Sequence, residues 1–216
     1  FPEDLERNAA RVDANLLAEL NQQYADVDAV FLWLSRLNFR DLASDEYKGA
    51  DKFLAAVEAV FSDDKPNARA ILGLHGYDAE AARDWIDRAG LGDRVDFVPH
   101  LPMWQVMTYV SMDKAVVFDH PDRQRVVLGG LAREAISLGA LVARGREPTL
   151  TRLCYGEPCP AWNPDTAADC AAVMREVLRM DESGRADRRR RTREWAARCL
   201  AHRPRVAQFL AMLEEV

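Results

Sequence analysis

Ala29-Val30-Phe31-Leu32-Trp33-Leu34 is an unbroken apolar run with no polar residue alternating between its members. Successive side chains of a strand point to opposite faces, so a strand half exposed to water alternates apolar with polar. A strand that does not alternate is buried on both faces, and such strands belong to parallel sheets covered by helices. The run is far shorter than the roughly 20 apolar residues of a membrane helix, and no stretch of the chain approaches that length.

The same logic extends outward. Downstream, residues 35–48 are polar and irregular and read as a loop. From Gly49, the residues Phe53, Leu54, Val57, Val60 and Phe61 recur at helical spacing until Pro66 ends the pattern. Strands over 70–74, 95–98, 115–118 and 140–143 then alternate with helices over 78–89, 103–112, 130–138 and 166–180. Upstream, residues 3–24 form one amphipathic helix on Leu5, Val12, Leu16, Leu20 and Tyr24. A last helical stretch begins near Arg185 and breaks at Pro204. Strand and helix alternating over short connections specify an α/β protein with a doubly wound, mostly parallel sheet flanked by helices. The sequence reads as a single domain over 1–216, with a core at 29–180 and flanking helices at 1–25 and 185–216.

Composition narrows the function classes. Of 216 residues, 49% are hydrophobic and 30% charged, enough apolar surface to offset chain entropy, so a largely disordered chain is excluded. The net charge of −6 argues against a dominant nucleic-acid or anionic-membrane partner. The nine arginines between 185 and 205, set against Glu182, Asp187 and Glu194, have the spacing of one solvated helix face. Cys154, Cys159, Cys170 and Cys199 lack zinc-ligand spacing and read as free thiols of a reduced, cytoplasmic protein. The chain opens on Phe1 and reads as the C-terminal fragment of a longer two-domain protein.

In an open parallel sheet, ligands bind beyond the carboxyl ends of the strands. Those ends carry Ser35-Arg36 and Lys48-Gly49, then Gly73-Leu74-His75-Gly76, then Phe97-Val98-Pro99-His100, then the segment from Asp119 to Gly130. Gly129-Gly130 opens a helix, where free N–H groups and the helix dipole favour an anion. Arg36 and Lys48 add the two cations a diphosphate wants, so a diphosphate held without an obligatory metal fits the pattern. Glu134, one turn into that helix, can accept hydrogen bonds from vicinal hydroxyls such as those of a ribose. His75, His100 and His120 all follow strands and could share one crevice. The sequence has neither the nucleophile elbow of a catalytic triad nor metal-ligand spacing around them, so they read as hydrogen-bonded loop histidines.

These motifs, in this order, resemble the C-terminal, donor-binding half of retaining GT-B glycosyltransferases of the family-four group. The resemblance rests on Leu34-Ser35-Arg36-Leu37, Lys48-Gly49, Ile71 to Gly76, Gly92-Asp93-Arg94-Val95-Asp96-Phe97, and Gly129-Gly130-Leu131-Ala132-Arg133-Glu134-Ala135 with Gly139 downstream. It covers residues 29–180. It implies that Arg36 and Lys48 grip the donor diphosphate and stabilise the departing nucleoside diphosphate. By the same resemblance, backbone around Phe97, Val98 and His100 contacts the nucleobase, Gly76 belongs to the donor-binding edge, Gly129 and Gly130 lie beside phosphates or sugar, and Glu134 holds the ribose. The implied partners are a nucleoside-diphosphate sugar and an N-terminal domain carrying the acceptor site. No resident cofactor is implied.

The sequence also departs from the pattern. The first glutamate of the family's Glu-x7-Glu pair falls on Val126, which cannot accept sugar-hydroxyl hydrogen bonds; Asp122, Gln124 or Arg125 are the nearby substitutes. Gly139-Ala140-Leu141 lacks the usual proline, and the loop between Arg36 and Lys48 is long. The expected function is transfer of a hexose from a nucleoside-diphosphate sugar, with retention, by a bacterial-type enzyme of which this chain alone is inactive. The alternatives are a non-catalytic module with a degenerate donor site and a GT-B nucleotide-sugar epimerase. A flavodoxin-like signalling domain fails for want of an acidic cluster at the strand ends.

Overall fold

A computed structural model describes residues 2–44, 46–119, 130–145 and 159–200. The elements run α1 (Pro2–Ala9), α2 (Ala14–Gln23), β1 (Ala29–Trp33), α3 (Ala50–Asp63), β2 (Ala68–Gly73), α4 (Ala79–Arg88), β3 (Val95–Val98), α5 (Met103–Val110), β4 (Ala115–Asp119), α6 (Gly130–Ser137), β5 (Leu141–Arg144), α7 (Ala167–Arg179) and α8 (Glu182–Cys199). The strands form one parallel sheet in the order β3-β2-β1-β4-β5. The order reverses at β1, so the crevice between the carboxyl ends of β1 and β4 is the topological switch point.

The apolar run at 29–34 does what its pattern requires. Ala29, Phe31 and Trp33 point into one core, packed with Phe53 and Phe61 of α3, Phe118 of β4 and Met174 of α7. Val30 and Leu32 point into a second core with Met107 of α5, Ile136 of α6 and Trp195 of α8. All of β1 is buried. Rings interlock in the first core: Phe53 lies 5.5 Å from Trp33 and 5.2 Å from Phe118, centroid to centroid, within the range of favourable aromatic pairs. Each face of the sheet thus has its own hydrophobic layer.

Two expectations need correction and a third gains detail. The amphipathic stretch 3–24 is two helices, α1 and α2, because Asp13 is extended (φ −79°, ψ 113°) and its carboxylate accepts from the Asn15 and Leu16 amides as the cap of α2. The final helix starts at Glu182, one turn earlier than read, because the Asp181 side chain accepts from the Gly184 amide. The segment 35–48 is a loop, as expected, but a packed one. Leu37 and Phe39 are buried, and the Asp78 carboxylate at the start of α4 accepts from the Phe39 amide (2.7 Å), the Arg40 amide (3.0 Å) and the Arg40 guanidinium (2.6 Å).

Cys159, Cys170 and Cys199 are reduced, outside any disulfide; Cys154 and the break at Pro204 lie outside the described residues. Among the described residues, no helix is long and apolar enough to cross a membrane.

Candidate functional site

The loops leaving β1, β2 and β3 meet the start of α6 at one edge of the sheet, and two depressions adjoin there. The first, about 220 Å³, is lined among others by Leu34, Gly73, His75, His100, Gly130 and Glu134. The second, about 460 Å³ and more open, is lined by Arg36, Asn38, Glu46, His75, Gly76 and Tyr77. His75 belongs to both.

Backbone constraints set this geometry. The Leu37 amide donates to the His75 carbonyl (2.7 Å), and the Asp78 amide to the Leu37 carbonyl (2.8 Å), lacing the first loop to the second. The Asn38 side chain accepts from the Tyr77 amide (2.8 Å) and donates to Glu46 (3.0 Å). Gly76 allows the lacing: its φ is +113°, and a Cβ there would stand 2.7 Å from the Leu37 amide nitrogen, the Leu37 carbonyl oxygen and Asn38 Oδ1. Burial alone would push the Asp78 carboxyl up, but the Arg40 and Phe39 amides and the Arg40 guanidinium outweigh it and hold Asp78 below the usual carboxylate range.

Glu134 sits four residues after Gly130, so both fall on one face of α6. Its Oε2 is buried with no hydrogen-bond partner, and a Cβ on Gly130 would lie 3.9 Å from it. Burial pushes this carboxyl up, with the charges of Arg11 and Arg133 pulling the other way. An acceptor removed from water without a donor costs free energy that a hydroxyl ligand would recover.

Arg36 reaches the second depression with a largely exposed guanidinium. Its ion pair there to Glu46, the one among the described residues, is long at 3.6 Å. Such a pair contributes about 0–1 kcal/mol, so an anion can displace it. The His75 and His100 rings lie 4.9 Å apart at 52°. Burial, then the charges of His100 and Arg36, hold the His75 imidazole below its ordinary range.

Arg36, Gly76, His100, Gly130 and Glu134 therefore converge on one edge. Lys48 precedes α3 and is half-buried, with its amide on the Asn38 carbonyl (3.0 Å), but lines neither depression. The Phe97 ring turns to the opposite side of the strand, under the Arg83 guanidinium at 4.6 Å. The Val98 carbonyl accepts from the Leu74 amide at 2.7 Å. Gly129, His120, Asp122, Gln124, Arg125 and Val126 lie outside the described residues.

Sequence reasoning missed two features. At the switch point, Ser35 Oγ donates to the buried Asp119 carboxylate at 2.7 Å, and Asp119 stands in register beside the buried Arg144 of β5. Charged residues closing two apolar strands were the available signal. The large hydrophobics exposed among the described residues are Leu42, Tyr77, Met103 and Trp104. All four follow the carboxyl ends of β1, β2 or β3.

No protein-family model matches the sequence, and no curated protein does. Solved structures do match by shape. HepE from Anabaena in complex with UDP superposes with a TM-score of 0.69 at 18% identity, over 95% of this chain and 54% of that one. A trehalose-6-phosphate structure from E. coli, bound with UDP-2-fluoro glucose, gives 0.68 at 14% identity, over 100% and 50%. The fold is that of the Rossmann-like half of a GT-B glycosyltransferase. The C-terminal domain of LpcC, a glycosyl transferase group 1 family protein of Francisella tularensis, gives 0.60 at 12% identity over 82% of this chain and 90% of that one. The chain spans about half the length of the HepE and E. coli chains and nearly all of the isolated LpcC domain.

Proposed function

We propose that this GT-B half binds a nucleoside-diphosphate sugar and serves a glycosyltransferase that passes a hexose, with retention, to an acceptor held by a second domain. The observation that carries the reading is the buried Glu134 Oε2, without a protein partner, facing Gly130 in the crevice that also holds His100 and adjoins Arg36. A ribose offers the two donors such a carboxylate lacks. Structures of similar fold carry UDP and a UDP sugar, which supports the same ligand class here.

In this reading Arg36 and Lys48 stabilise charge that develops on the diphosphate as the glycosidic bond breaks, although Lys48 lines neither depression of the empty protein. The weak Arg36–Glu46 pair keeps that guanidinium available. The diphosphate rests on protein cations and on the amides at the start of α6 beside Gly129 and Gly130, with no obligatory metal. Backbone beyond β3, at Phe97, Val98 and His100, meets the base. With the Val98 carbonyl taken by the Leu74 amide and the Phe97 ring turned away, this reading leaves the base to backbone beyond Val98, at Pro99 and His100. The exposed Leu42, Tyr77, Met103 and Trp104 rim this edge, and the second domain would cover them. The chain alone would then bind donor without turning it over.

A thermal-shift titration with UDP, GDP, ADP and TDP tests the reading on wild type and Arg36→Ala. Half a cleft binds weakly, at a Kd of about 1 mM, so tenfold excess raises stability by roughly 1.4 kcal/mol. One nucleotide should shift the wild type and lose that shift in Arg36→Ala. Equal shifts in both proteins would remove Arg36 from the site.

A further inference from the structure

Among the described residues, His75 alone lines both depressions. Its backbone is fixed on both sides, by the Leu37 amide on its carbonyl and by its own amide on the Gly73 carbonyl (2.9 Å). Its ring rests 4.9 Å from that of His100, and its Nδ1 is buried without a hydrogen-bond partner. Among the described residues, the titratable and charged groups that line the two depressions with it are His100 beyond β3, Arg36 beyond β1, Glu134 on α6 across the first, and Glu46 in the second. Among the described residues no carboxylate pairs with either imidazole: Glu46 is engaged by Arg36 and Asn38, and Glu134 Oε2 faces Gly130.

Among the described residues, a cation on His75 would therefore stand half-buried beside a guanidinium and a second imidazole, with only the Gly73 carbonyl to favour it. An anion in the crevice reverses that balance, because a negative charge within about 4–6 Å favours the protonated form. We propose that His75 takes up a proton when a diphosphate enters the crevice and becomes a further cation for it beside Arg36, so that donor binding and proton uptake are coupled. This rests on the crevice being a nucleoside-diphosphate-sugar site. It adds a residue to that site and a direction to its pH dependence. The depressed His75 imidazole of the empty protein agrees with it. By linkage, affinity for the donor rises as pH falls through the titration range of the bound imidazole.

The probes are UDP-, ADP- and GDP-glucose, whose diester diphosphates stay fully charged near neutrality; a free nucleoside diphosphate ends in a phosphate that itself titrates at about pH 6. Calorimetry is run near pH 6 and pH 8, in buffers of different ionisation enthalpy, on wild type, His75→Asn and His100→Asn. Wild type should bind one probe about three- to tenfold more tightly at the lower pH, with net proton uptake. His75→Asn should bind with neither pH dependence nor uptake, and His100→Asn should retain uptake. Imidazole NMR on wild type alone, needing no variant, should show the His75 titration midpoint move upward on saturation. Binding at one affinity at both pH values, or uptake surviving in His75→Asn, overturns the proposal while leaving the donor site standing. Binding of none of the probes at either pH overturns the donor reading itself and this inference with it.

Discussion

Replacing Asp78 with alanine should destabilise the protein well beyond what its small side chain suggests. The Asp78 carboxylate is buried and holds the loop that carries Arg36. Its loss strands the buried Phe39 amide, for which about 1–3 kcal/mol is the usual penalty, and weakens the half-buried Arg40 amide by about 1 kcal/mol. The Arg40 side chain is 68% exposed and its guanidinium rehydrates, so its ion pair adds little. The expected loss is about 2–4 kcal/mol, or a fall in Tm of about 5–15 °C for a chain of this length. Asp78→Asn keeps one acceptor and should lose about half as much. Urea unfolding followed by circular dichroism measures both. The pH dependence has a definite sign. The folded-state carboxyl lies below its unfolded value, so its contribution is complete above about pH 4 and is lost as pH falls through the folded value. The gap between wild type and Asp78→Asn should hold steady from pH 7 to pH 5 and close in stronger acid. A loss under about 0.5 kcal/mol for Asp78→Ala would refute the idea that this carboxylate fastens the loop.

Gly76→Ala places a Cβ against the Leu37 backbone at a positive φ, so it should cost about 2 kcal/mol or more in urea and weaken nucleotide binding together with stability. Glu134→Gln removes a desolvated carboxylate, so it should leave the free protein as stable or up to about 1 kcal/mol more stable while weakening ribonucleotide binding about tenfold, read by denaturation and calorimetry. The depressed His75 imidazole means that the unfolded chain binds more protons than the folded one below about pH 6.5. Stability of the empty protein should therefore fall from pH 7 to pH 5, and His75→Gln should reduce that slope.

What could be read from the chain divides along a physical line. β1 was legible because burial on two faces leaves its mark in consecutive residues: Phe31 and Trp33 serve one core, Val30 and Leu32 the other. Gly130 and Glu134 were legible as a pair because helical geometry puts residues four apart on one face. The break before α2 was not legible in the hydrophobic period. It depends on one carboxylate, Asp13, winning two amides from a continuous helix. The packed loop over 36–44 was also hidden, since its order comes from Asp78, distant in sequence, and from a glycine whose φ no composition reveals. The meeting of His75 and His100 was legible, since both follow strand ends; the pairing of Ser35 with Asp119 was not, because only the parallel register of β1 beside β4 brings those two together.

Two edges of the sheet compete for the nucleotide. The opposite edge of the sheet offers a rival: a depression of about 500 Å³ lined by Asp28, Asp113, Lys114, Arg185 and Arg189 among others, whose cations already hold backbone carbonyls. Backbone amide NMR of the chain, titrated with UDP-glucose and its ADP and GDP counterparts, separates the two. Shifts are expected at Arg36, Gly73, His75, Gly76, His100, Gly130 and Glu134, with Asp113, Lys114 and Arg185 unmoved. Shifts confined to Asp113, Lys114, Arg185 and Arg189 would contradict it.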